Sequence, residues 1–130
     1  MVVLYALYFS VRTVGVHNGL GTSAYDFGLY DQGIWLMSRG HSPFVTLMGR
    51  NLFGDHSSFI LVLLIPLYWL VSSTSLLFVV QSIVVAIGAL PVYWFSRQRL
   101  RSEPLAAAMA GVYLLHPSIG WTNLENFHPD

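Results

Sequence analysis

Residues 76–95 read LLFVVQSIVVAIGALPVYWF, twenty consecutive residues without a charge. A helix rises ~1.5 Å per residue and the hydrocarbon core of a bilayer is ~30 Å thick, so the run is long enough to cross a membrane. Tyr93 and Trp94 stand at one end of it, where amphipathic rings favour the interface, and Arg97, Arg99 and Arg101 follow at once. The positive-inside rule makes that end cytoplasmic. Composition agrees, with 55% of the chain apolar and 9% charged, where soluble domains carry about 25% charged residues. Gln81 and Ser82 are the polar residues in mid-run, with a neighbouring helix or a pathway as their two destinations.

Other apolar runs fill in an all-α, multi-pass transmembrane architecture. Ser102 and Pro104 read as the start of a helix that returns across the membrane over 104–120. Its Ala107 and Gly111 form a small-x-x-x-small pair, suited to close helix packing. Residues 1–16 form a first span, shortened at its start, whose Arg12 snorkels toward the interface. Residues 57–71 hold fifteen residues and Pro66, a helical reach of about 22 Å, short of the core thickness. That shortness, with Tyr68 and Trp69, favours an interfacial or re-entrant helix. It puts 17–56 and 121–130 on one extracytoplasmic side, with 76–95 spanning and 96–103 as a basic cytoplasmic turn. The chain reads as the N-terminal part of a longer protein of the plasma membrane.

Six arginines, no lysine and a net charge of zero leave no basic field for nucleic acid. The absence of cysteine removes disulfides, thiolate catalysis and cysteine-ligated zinc. P-loop, dinucleotide-binding and zincin patterns are likewise missing from the sequence.

The scarce charge gathers in the polar segments, where membrane proteins place function. Ser23 and Asp26 have capping-box spacing and predict an amphipathic helix over about 25–38. Asp26, Tyr30, Gly33 and Met37 share one of its faces, and Asp31 and Trp35 another. One reading of Asp26 is a helix-start carboxylate facing the positive end of the dipole. The other is a general base or metal ligand. Asp55 and His56 either cap the next helix or supply oxygen and nitrogen to a divalent cation. Arg39 and Arg50 are solvated surface groups or phosphate ligands, since a guanidinium donates a forked pair of hydrogen bonds. Glu125, His128 and Asp130 crowd the last six residues, at a spacing too loose for a metal motif by itself.

In order, YDFGLYDQGIW, FGDH, the PLYWL segment, ALPVYWFSRQRL and NFHPD together resemble an uncharacterised family of bacterial multi-pass membrane proteins. That family is in turn similar to GT-C glycosyltransferases, which use polyprenyl-phosphate-linked sugars. The resemblance implies an acidic motif on a surface helix of the first loop, then interfacial helices, two spans and a second acidic loop. It makes Asp26 the catalytic base, with Tyr30, Arg50 and His56 binding substrate. Asp55, His56, His128 and Asp130 become ligands of a divalent cation, magnesium or manganese. The membrane lipid and a polyprenyl-phosphate-linked sugar are the implied partners. Two features depart from the GT-C pattern. Phe27 stands where a second adjacent acid is usual, and Asp55 and His56 stand where a phosphate-binding lysine is usual.

Overall fold

The computed structural model describes residues 1–54, 57–127 and 129, with Ala24 described by its backbone alone. In chain order the elements are α1 (Val2–Asn18), α2 (Ala24–Ser38), β1 (Phe44–Val45), β2 (Arg50–Asn51), 3₁₀ turns at Leu52–Gly54 and Phe59–Leu64, α3 (Ile65–Leu70), α4 (Ser75–Ile87), α5 (Ala89–Leu100), α6 (Glu103–Leu115) and α7 (Pro117–Glu125). They form two units: Met1–Gly21 with Phe78–Glu125, and Thr22–Leu77 with the chain from Asn126 onward.

α4 and α5 are separated by Gly88 alone and make one 26-residue helix, Ser75–Leu100, which lies in the first unit from Phe78 onward. It reaches a mean hydropathy of 2.3 and is the one helix among the described residues long and apolar enough to cross a membrane. The expected run over 76–95 lies inside it, and the helix continues through the arginines. Arg101 stops it in the left-handed region, at φ 51° and ψ 30°. Ser102 is extended, and α6 begins with Pro104 in its first turn, where its missing N–H costs nothing. Arg97 and Glu103 join across this hairpin at 2.6 Å, both more than half exposed, so the pair adds little stability.

Small residues let α5 and α6 pack closely, with Ala89 and Ser96 buried on one helix and Ala106 and Ala110 on the other. The packed pair on α6 is thus Ala106 and Ala110, one position before the expected Ala107 and Gly111, which are half-buried. Successive helix positions are turned ~100° apart, so a shift of one residue selects a different face. Tyr113 crosses over Gly88 and donates to the Val85 carbonyl at 3.1 Å. A Cβ at Gly88 would overlap that hydroxyl. Tyr5, Ala86, Ala89, Ala110 and Leu114 form the apolar core here. Gln81 donates to the Thr122 carbonyl at 2.8 Å, which is the interhelical use expected for it. Ser82 is fully buried beside it.

The expected single helix over 104–120 is divided. α6 ends at Leu115, His116 is extended at ψ 130°, and Pro117 opens α7. Proline disfavours the helical region for the residue before it and brings no N–H of its own, so the chain breaks where the sequence reads HP.

In the second unit, α2 packs against α3 and the Phe59–Leu64 turn. Leu61 and Tyr68 are buried there, while Phe59, Ile60, Leu63, Trp69 and Leu70 are exposed. The expected helix at 57–71 is therefore a 3₁₀ turn followed by α3, with Pro66 in the first turn of α3. The all-α expectation also needs one amendment. β1 and β2 pair antiparallel, with Phe44 opposite Asn51 and Val45 opposite Arg50, around a turn where Gly49 takes φ 66°. Leu52, just beyond β2, packs on Gly33, where a Cβ would lie 2.5 Å from its Cδ2.

Candidate functional site

α2 begins where expected, with Ser23 as N-cap in extended geometry, but the Ser23 hydroxyl makes no capping hydrogen bond. Its carbonyl accepts from the Asn126 amide at 3.3 Å instead. Asp26 falls in the first turn of α2, where the unpaired N–H groups favour a carboxylate. Phe27, Leu29, Tyr30, Gly33, Ile34 and Ser38 are buried along the helix. By helical spacing Asp26 lies on the same side as Tyr30 and Gly33, and it is half-buried. Its setting is a carboxylate at the mouth of a packed face rather than a fully solvated surface acid.

Tyr30 is 1% exposed and meets the Phe127 ring edge-on, with centroids 5.8 Å apart. It is a core side chain that joins α2 to the second polar segment. Arg50 is exposed on β2. Asp55, His56, His128 and Asp130 lie outside the described residues. Among the described residues no three His, Cys, Asp or Glu side chains cluster as metal ligands.

Asp31 has a specific partner. The buried Tyr68 hydroxyl donates to its carboxylate at 2.7 Å, tying α3 to α2. Burial, and then the bond to Asp31, push the Tyr68 phenol well above the usual tyrosine value of 10. The fold thus holds the neutral phenol, so this contribution is complete below pH 10 and is lost as alkaline pH ionises the ring. Trp69 adds a second tie, its indole N–H donating to the Ser38 carbonyl at 2.8 Å. Arg39 reaches the Ser72 hydroxyl at 3.2 Å. Tyr68→Phe removes a hydrogen bond to a charged acceptor and should lower the stability of this unit by about 1.5 kcal/mol, read as an earlier denaturation midpoint in detergent. Asp31→Asn keeps an acceptor and should cost less.

Sequence reasoning missed the joining residues: Tyr68 as the partner of Asp31, and Asn126 and Phe127 as the partners of Ser23 and Tyr30. All three contacts link positions more than 30 residues apart, beyond the reach of periodicity or capping rules. The signal in the sequence was weaker, namely aromatic and amide residues interleaved with the acids.

No curated protein and no solved structure matches the chain. A family model does match, over residues 16–130, and its description is "Predicted membrane protein (DUF2079)". The long apolar helix lies inside the matched region, and the chain belongs to this family of membrane proteins, DUF2079, whose function is unknown.

Proposed function

We propose that the protein is a multi-pass membrane glycosyltransferase of GT-C type. It takes a sugar from a polyprenyl-phosphate donor at the outer face of the plasma membrane and passes it to an envelope acceptor. One observation carries this reading: Asn126 and Phe127 pack on the first half of α2, through Ser23 and Tyr30. Asn126 and Phe127 therefore belong to the same unit as Asp26, which supports a shared site.

The same observation bears on topology. The chain leaves this unit along α4 and comes back to it at Asn126, which supports a topology in which the excursion between makes an even number of crossings. Residues 57–71 begin and end within the unit, and in that topology they make none. In this reading Asp26 accepts the proton of the attacking hydroxyl. Tyr30 holds α2 against the second segment, and Arg50 receives the donor phosphate. Asp55, His56, His128 and Asp130 remain the proposed ligands of a divalent cation, magnesium or manganese, which would neutralise the phosphate leaving group.

Single cysteines test this, because the chain has none of its own. In the full-length protein, His41→Cys and Glu125→Cys should react with an impermeant thiol reagent from outside, and Gln98→Cys should not. All three positions are exposed. Labelling of His41→Cys with protection of Glu125→Cys would put the two segments on opposite faces and end the proposal. The alternative, a non-enzymatic transporter or envelope-assembly scaffold, draws on one observation, the division between α6 and α7 at His116. Interrupted helices near mid-membrane are a feature of transporters.

A further inference from the structure

His116 occupies an unusual level in the first unit. Ile87 and Gly88 stand at the middle of the 26-residue helix, and Tyr113 lies against Gly88 and Val85. His116 follows three residues later, about 4.5 Å along the axis. Farther on, Thr122 is level with Gln81. At the other end Glu103 is level with Arg97. Residues 103–125 thus run antiparallel to the long helix along most of its length, and their interruption falls near its midpoint.

The interruption leaves polar groups at that level. Pro117 has no N–H, the Ser118 N–H goes to His116 Nδ1 at 3.3 Å, and those of Ile119 and Gly120 close on the His116 carbonyl. None of these four positions reaches back to α6, so the Leu114 and Leu115 carbonyls receive no N–H from them. Because Nδ1 accepts, the proton of the neutral imidazole is on Nε2. His116 is exposed and lines a groove of about 570 Å³ with Tyr5, Tyr8, Leu114, Leu115 and Pro117. That volume is within the usual range for small-molecule sites. Backbone outside a helix is tolerated at membrane depth only where protein covers it or a polar cavity adjoins it. An ionisable side chain at that depth points to a site as well.

We propose that α6 and α7 are one interrupted crossing and that its break is an intramembrane site for a hydroxyl group. The chemistry selects that class. An Nε2–H needs an acceptor and the two carbonyls need a donor, and a hydroxyl supplies both. Its source is water or the end of an aliphatic alcohol whose chain lies along the apolar wall. The site stands apart from the glycosyltransferase reading, since none of its residues belongs to the α2 region.

The test uses the full-length protein in membranes and 2-aminoethyl methanethiosulfonate, a small hydrated thiol reagent. His116→Cys, and Leu115→Cys, which keeps the imidazole, should react at least tenfold faster than Val112→Cys or Met109→Cys on the exposed side of α6. Protection by 1-decanol assigns the site to an alcohol, and fast reaction without protection assigns it to water. Equal rates at all four positions overturn the proposal, whether all are slow, as in lipid, or all fast, as outside a membrane.

Discussion

Replacing Asp26 by Asn in the full-length protein should lower sugar transfer by about 10²–10⁴-fold, the usual contribution of a positioned general base. The substitution keeps the shape of the side chain and its place in the first turn of α2. It removes the charge that takes up a proton. The cost to folding is small, about 0.3–1 kcal/mol for a lost interaction between carboxylate and helix dipole, so the variant should still reach the membrane. Asp31→Asn is the control, because its carboxylate is engaged by Tyr68. It should lower stability more than turnover. Undiminished transfer by Asp26→Asn would mean that the carboxylate serves the helix end alone.

The largest expected effect on folding lies at Gly88. Leu at this position drives a side chain into the Tyr113 ring and its bond to the Val85 carbonyl. Overpacking of this kind typically costs about 1–3 kcal/mol, and loss of the hydroxyl bond adds about 0.5–1.5 kcal/mol. A double-mutant cycle identifies the cause. Gly88→Ala and Tyr113→Phe each destabilise alone, while the pair together should cost less than their sum, because Phe removes the oxygen that the new methyl meets. Additive losses, measured by thermal unfolding in detergent, would show that Gly88 matters for helix flexibility and not for the crossing of Tyr113.

What could be read from the sequence was local. The run at 76–95 gave the long helix, Ser23 and Asp26 marked the start of α2, and Ser102 with Pro104 marked the start of α6, since each depends on neighbours within a turn or two. The HP pair at 116–117 carried a break signal of the same local kind, yet the apolar stretch around it suggested continuity. Hydropathy averages over a window, whereas a proline acts on the single residue before it. Distant contacts were out of reach for another reason. Tyr68 meets Asp31 only because the Phe59–Leu64 turn and α3 fold back on α2, and Phe127 meets Tyr30 only after the chain has returned through α7. The face shared by Asp26 and Tyr30 was legible from spacing, but the burial of Tyr30 depends on that return.

These contacts narrow the role of the second segment. Asn126 bonds the Ser23 carbonyl at the start of α2, and Phe127 packs on Tyr30 one turn beyond Asp26. A substitution that opens this junction should therefore act on the Asp26 region without touching the acid itself.

The most direct measurement is donor turnover by the purified full-length protein in proteoliposomes, with polyprenyl-phosphate-linked sugar in the outer leaflet. A GT-C-type activity requires release of polyprenyl phosphate and transfer of the sugar by the wild-type protein, dependent on Asp26. Donor recovered intact, in the presence of magnesium or manganese and of envelope acceptors, would contradict it.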